Sequence, residues 1–216
     1  MRLIAILSTA TAFRMATRMS ATTEPVVAPV VDEPPKGPRA PIAKICLESA
    51  CGIDYTPLVE SLRRGAFEEA DQVTRDTLIT LAGAEAQRRG YVYWTEAQRL
   101  PALDLATIEL LWNHYSDNKF GYTVQRGVWM RLKDFEAFCA KVGWNIEDDG
   151  QTRKRRWFGN SEFIYDLTAP KGHLPLTSAL RGTQLLKNIL FHDVWTTDDW
   201  RRDLVEEEEE GGGGEG

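Results

Sequence analysis

The sequence predicts an all-α fold: a single helical domain broken late by one long aromatic loop. Three observations carry this. Beyond Ile53 apolar residues recur at helical spacing. Asp, Pro and Gly stand where such runs would start and stop. No unit of about 20 to 50 residues repeats, so a solenoid is not expected.

The helical domain is expected over residues 53–203. In "DYTPLVESLRRG", Asp54 is a candidate N-cap, Pro57 suits a first turn and Gly65 a stop. The run "AFEEADQVTRDTLITLAGAEAQ" spaces Phe67, Ala70, Val73, Thr77, Leu78 and Leu81 along one face, with acids near its start. The stretch "YVYW" at 91–94 reads as a short strand before another helical turn. In "LPALDLATIELLWNHY", Asp104 is a candidate cap, and Leu105, Ile108, Leu111, Trp112 and Tyr115 share a broad face. "SDNKFG" has turn chemistry. Residues 124–130 and 134–142 read as short helices, and 179–191 as a last one, with Leu180, Leu185, Leu186, Ile189 and Leu190 at core spacing.

Between them, residues 144–178 contain no helical pattern. Structureless loops beyond about 12 to 15 residues are uncommon in compact domains and are usually functional or disordered. Phe163 and Tyr165 disfavour disorder here.

The flanks differ in character. Residues 1–20 join Arg2 to the apolar run Leu3 to Leu7, then to small residues, the parts of a secretory signal. The stretch after Phe13, "RMATRMSATT", is basic, hydroxylated and free of acids, as transit peptides are. Together they suit a bipartite plastid-targeting leader; a frayed N-terminus is the alternative. Residues 21–52 form a Pro-rich linker. Residues 204–216 form an acidic, Gly-rich tail.

The 216-residue chain is 43% hydrophobic and carries net charge -6, which the six acids of the tail account for in full, leaving the body near zero. That balance argues against a body-wide field for nucleic acid. Seven tryptophans require burial or a ligand to stack on. Cys46, Cys51 and Cys139 are odd in number and lack metal or redox spacing, so neither a disulfide framework nor a metal site is expected.

No nucleophile constellation, zinc-protease signature or P-loop is present. His114 and His192 read as C-terminal capping or surface residues. "RKRRWF" at 153–158 could stack and hold single-stranded nucleic acid, or be a solvated loop tip. A third use is a flat apolar ligand with anionic edges. Trp157, Phe158, Phe163 and Tyr165 would face its plane, and Arg155, Arg156, Lys171 and Arg181 its carboxylates. The residues alone reach a helical domain that binds a flat amphipathic molecule, with a ligand-free helical adaptor or a nucleic-acid module as alternatives.

Five segments in order resemble one family. They are "DYTPLVESLRRGAFEEADQVT" at 54–74, "LWNHYSDNKFGYTVQ" at 111–125, "VGW" at 142–144, "FIYDLTAPKGHLPL" at 163–176 and "LRGTQLL" at 180–186. They are similar to the genomes-uncoupled-four family of tetrapyrrole-binding regulators of magnesium chelatase, over roughly residues 54–200.

The resemblance implies a helical cupped-hand fold and a non-catalytic protein without covalent cofactor. It implies binding of protoporphyrin IX and its magnesium complex, and contact with the large porphyrin-binding subunit of magnesium chelatase. It also implies a stromal protein of the chloroplast that is partly membrane-associated, monomeric, and has a role in plastid signalling. By motif it points to Leu100, Trp157, Phe158, Phe163, Tyr165, His173, Ser178 and Arg181 as porphyrin-binding. Arg181 would lie near a propionate, and Leu100 would line the palm where the family often has Phe. The resemblance makes the 144–178 loop a mobile cover. Axial magnesium ligation by His173 competes with a local role in shaping that loop. Ala106 stands where many members have arginine.

Overall fold

In the computed structural model, residues 47–148, 150–156, 162–176 and 183–201 are described, all within the unit that begins at Pro35. The expected leader, most of the linker and the acidic tail lie outside the described residues.

Among the described residues eight α-helices follow in order: α1 (Thr56–Arg63), α2 (Phe67–Leu81), α3 (Ala84–Arg89), α4 (Trp94–Ala97), α5 (Ala102–Ser116), α6 (Tyr122–Leu132), α7 (Phe135–Lys141) and α8 (Thr183–Leu190). A two-stranded hairpin, β1 (Asn145–Asp148) and β2 (Gln151–Lys154), comes between α7 and α8, and a 3₁₀ turn (Asp193–Thr196) follows. The fold is therefore helical, as expected.

α5 is the central element. Eleven of its fifteen residues are buried, on every side, as befits a helix enclosed by others. The broad face expected from Leu105, Ile108, Leu111, Trp112 and Tyr115 is thus only part of its contact surface. Around Trp112, which is fully buried, Phe67 stacks at 6.1 Å and Phe120 packs edge-on at 6.3 Å. The Trp112 indole N–H donates to Thr74 Oγ1 at 3.0 Å, satisfying the one polar group of the ring. Ala106 is buried too, so no charged side chain could stand there without reorganising the core.

Asp104 does not cap α5. It lies within the first turn, fully buried, and its carboxylate accepts from Ser49 Oγ (2.5 Å), the Ala50 N–H (3.0 Å) and Tyr55 Oη (2.9 Å). The Thr107 hydroxyl donates to the Glu48 carbonyl at 2.8 Å. The segment ahead of α1 is thereby fastened to the central helix, beginning upstream of the expected boundary at residue 53.

Asp54 is not the N-cap of α1: Tyr55 holds that position, and Asp54, one place earlier, accepts from the Thr56 N–H through Oδ1 at 3.0 Å. Residues 91–94 are not a strand. Tyr93 caps α4, and Glu96 reaches back to the Tyr93 N–H at 2.8 Å. His192 is not a C-terminal or surface group either. It is buried, and its Nδ1 caps the 3₁₀ turn by accepting from the Val194 N–H at 3.2 Å.

α6 begins without a side-chain cap of its own. The fully buried Glu109 of α5 serves instead. Its Oε2 accepts from the Tyr122 N–H (2.5 Å) and its Oε1 from the Thr123 N–H (3.0 Å), with further bonds from the Thr123 hydroxyl and Asn113. A carboxylate at a helix N-terminus meets both orphan donors and the positive end of the dipole. Gly121, at φ 131°, is what lets it approach: a Cβ there would lie 2.7 Å from Glu109 Oε1.

Candidate functional site

The described parts of the segment expected to be one loop, 144–178, are built and anchored. β1 and β2 pair antiparallel, with Asn145 opposite Lys154 and Asp148 opposite Gln151. Alternation in "NIEDDGQTRK" is weak and no residue of either strand is buried, so periodicity left no strand signal.

After the hairpin, residues 162–176 are held from several sides. Lys119 Nζ donates to the Leu167 carbonyl (2.6 Å) and the Gly121 N–H to the Leu174 carbonyl (3.1 Å). Gln125 of α6 donates to the carbonyls of Gly172 (3.1 Å) and Pro175 (2.8 Å). The Leu176 N–H donates to Asp71 of α2 at 2.7 Å, and Arg75 pairs with the same carboxylate. Burial pushes the Asp71 carboxyl up to about 6, against the pull of Arg75 and the Leu176 amide.

His173 is the hub of this segment. It is fully buried; its Nδ1 lies 2.7 Å from the Val142 carbonyl, and its Nε2 accepts from the Ile164 N–H at 3.1 Å. The pattern requires a neutral ring with its proton on Nδ1. Burial lowers its pKa, which favours that form. Its carbonyl accepts from Trp144 Nε1 at 2.8 Å, and Phe163 packs tilted against its ring at 5.9 Å. With both nitrogens engaged, the imidazole offers no free lone pair to a metal in this arrangement.

The other expected ligand residues divide by location. Leu100 is 3% exposed and belongs to the core. Phe163 is buried, and Tyr165 is half-buried against the core. Trp157, Phe158, Ser178 and Arg181 lie outside the described residues, on two short spans. One follows Arg156, where the Glu162 N–H donates to the Arg156 carbonyl at 3.1 Å. The other follows the anchored Leu176 and leads into α8.

The cations before the first span are largely committed. Arg153 and Arg156 share Glu162, and Arg153 also pairs with Asp148. Hydrogen bonding from Arg153 holds the Glu162 carboxyl far below the usual carboxylate range. Arg155 donates through Nε to the Gly143 carbonyl at 2.6 Å and through Nη1 to that of Glu162 at 2.5 Å. Lys154 pairs with Glu136 and sits 4.6 Å over the Phe135 ring. Arg155 and Arg156, expected to meet carboxylates of a ligand, thus meet the protein itself. Lys171 is exposed.

An exposed apolar surface lies where α4 meets α8. Among the described tryptophans, five are buried and Trp94 is 51% exposed; Phe191, just past α8, is 45% exposed. Asn188 ties the two helices together, donating to the Trp94 carbonyl (2.9 Å) and accepting from Gln98 Nε2 (2.9 Å). Tyr93 is also exposed, with Arg89 4.2 Å over its ring. Neither Trp94 nor Phe191 was among the residues expected from the sequence. The surplus of tryptophans was the available signal, but it could not say which one stays in solvent.

Among the described residues no cluster of His, Cys, Asp and Glu could hold a metal ion. Cys51 is exposed and Cys139 buried, both as free thiols; burial pushes the Cys139 thiol up to about 11. No described helix is long and apolar enough to cross a membrane.

Fold and surface together define the class: a helical module with an anchored late loop and exposed aromatics where α4 meets α8. The family profile described as GUN4-like matches residues 48–193, and the chain belongs to that family.

Two relatives and two structures bear this out. A Ycf53-like protein of Synechocystis is 44% identical over 155 residues, 71% of this chain and 64% of that protein. The chloroplastic tetrapyrrole-binding protein of Arabidopsis thaliana is 44% identical over 138 residues, 62% of this chain and 52% of that one. The chain therefore spans less than two thirds of the length of either relative. The structure of GUN4 from Chlamydomonas reinhardtii superposes with TM-score 0.61 at 44% identity, covering 68% of this chain and 93% of that one. The ligand-free structure of Arabidopsis thaliana GUN4 gives 0.60 at 40% identity, covering 69% and 100%.

Proposed function

We propose that this chain is a non-catalytic tetrapyrrole-binding protein that takes protoporphyrin IX and its magnesium complex and stimulates magnesium chelatase. The observation carrying this reading is that Trp94 of α4 is half-exposed and Phe191, just past α8, is exposed too, with Asn188 tying the two helices together. An apolar aromatic face of this kind suits a flat macrocycle. The Arabidopsis relative, named for tetrapyrrole binding, supports the ligand class.

In this reading the ring lies against the α4–α8 face. Trp157 and Phe158 stack from the first span, and Arg181, two residues ahead of α8, meets a propionate, with Ser178 nearby. Burying a few hundred Å² of ring at about 25 cal/mol/Å² gives several kcal/mol before ordering costs. Phe163, Tyr165 and His173 shape the base from which those spans leave, and Leu100 supports the face from beneath. Ligation of magnesium by His173 would require breaking the hydrogen bond at one of its two engaged nitrogens, so the metal is left to water or the partner enzyme.

The partner would be the large porphyrin-binding subunit of the chelatase. The setting would be the plastid stroma with peripheral membrane association, the state monomeric, and plastid signalling a further role. Magnesium chelatase reconstituted with and without the protein tests the regulatory part. Faster formation of magnesium porphyrin is expected, with no product from this protein, porphyrin and magnesium alone. An unchanged rate, or product without chelatase, would contradict it.

A further inference from the structure

The seam between α6 and α8 carries cations that take no counter-charge among the described residues. Arg126 and Met130, four residues apart, share one face of α6 beside Trp129, and Lys133 follows as its left-handed C-cap. Lys187 of α8 lies 5.4 Å over the Trp129 ring, and Phe191 follows it four residues on, one turn along the same side. Met130 is 46% and Phe191 45% exposed. None of the three cations takes an ion pair among the described residues. Arg126 Nε is buried without a hydrogen-bond partner. No acid occurs in residues 126–133 or 183–191. Three cations flanking two exposed apolar side chains call for an occupant that is apolar at one end and densely anionic at the other.

We propose that residues 204–210 of this same chain, "LVEEEEE", dock on this seam. Leu204 and Val205 would cover Met130 and Phe191, and the glutamates that follow would meet Lys187, Arg126 and Lys133. The described chain leaves from the neighbourhood of α8. Trp195 Nε1 donates to the Ile189 carbonyl at 2.7 Å, and Trp200 packs on Trp195 at 5.4 Å. From Arg201, five extended residues reach about 17 Å to Glu206 and nine reach about 30 Å to Glu210. Half the circumference of a helix about 10–12 Å across is about 16–19 Å, so the segment can pass around α8 to the seam. A tether this short also holds the acids at roughly millimolar effective concentration, where weak ion pairing suffices. The inference does not depend on tetrapyrrole binding, although a docked tail and a bound ring would compete for Phe191.

Carbodiimide coupling of the full-length protein, followed by mass spectrometry, tests it by joining Lys amines to Glu carboxylates in contact. Links from Lys133 and Lys187 to Glu206–Glu210 should exceed those from Lys119, Lys141 and Lys171 by about fivefold or more, as tethered proximity requires. They should fall several-fold at about 0.5 M NaCl, where screening shortens to a few Å. Replacing the half-buried Arg126 with Gln, which leaves the coupled lysines in place, should also reduce them. Links spread evenly over the lysines would overturn the proposal. So would links mainly between chains when light and heavy isotope forms are mixed, because the occupant would then be a second copy.

Discussion

At the residue scale, three buried polar groups decide local stability, and each makes a separate prediction. Gly121 exists for Glu109: a Cβ would collide with the carboxylate, and φ 131° strains any other residue. Gly121→Ala is expected to lower unfolding free energy by about 2–4 kcal/mol in urea titration, through strain and a displaced cap. Asp71, at about 6 in the fold against 3.8 unfolded, keeps a proton that the unfolded chain has released between those values. Its contribution therefore favours the fold at low pH and declines as pH rises from about 4 to 6, by an amount on the order of 3 kcal/mol. Asp71→Asn should flatten that slope, seen as urea midpoints at pH 4.5 and pH 7 that differ less than in the wild type. His173 has the opposite sign. Its pKa is lowered in the fold, so the stability it gives is present above its unfolded value of 6.5 and is lost as pH falls below it.

At the element scale, the loop from 162 to 176 depends on that imidazole, because a second proton would set two N–H groups against each other at Ile164. The Ile164 amide should exchange with deuterium about tenfold faster or more in His173→Ala, with amides of the central helix unchanged. Equal rates would remove His173 from its place as the hub. Much of the helical scaffold was legible in apolar spacing and in Pro, Asp and Gly punctuation. α1, α2, α6 and α7 fall close to where those signals put them. The misses have physical causes. Asp104 looks like a cap, but its partners Ser49, Ala50 and Tyr55 sit about 50 residues away, beyond any local rule. Tyr91 to Trp94 has the composition of a strand but no neighbouring strand to pair with, so the Tyr93–Glu96 capping box wins. The hairpin at 145–154 has no buried face, and a strand without one leaves no periodic mark.

At the scale of the whole molecule, the candidate site was legible in part. The aromatic loop and the family motifs pointed to residues 144–178, within which Phe163 and His173 turn inward, toward the core. What the spacing could not reveal is that Trp94 and Phe191 stay exposed where α8 packs against α4 across some ninety residues. The central claim is that this assembled face, with Arg181 beyond it, receives a flat dicarboxylic macrocycle. Titration with deuteroporphyrin, followed by quenching of tryptophan fluorescence, tests this most directly. Saturable quenching is expected for the wild type. Affinity should be about tenfold weaker in Arg181→Ala and in Trp94→Ala, a cost of roughly 1.4 kcal/mol for either substitution. No quenching in the wild type, or binding as tight in both variants as in the wild type, would contradict it.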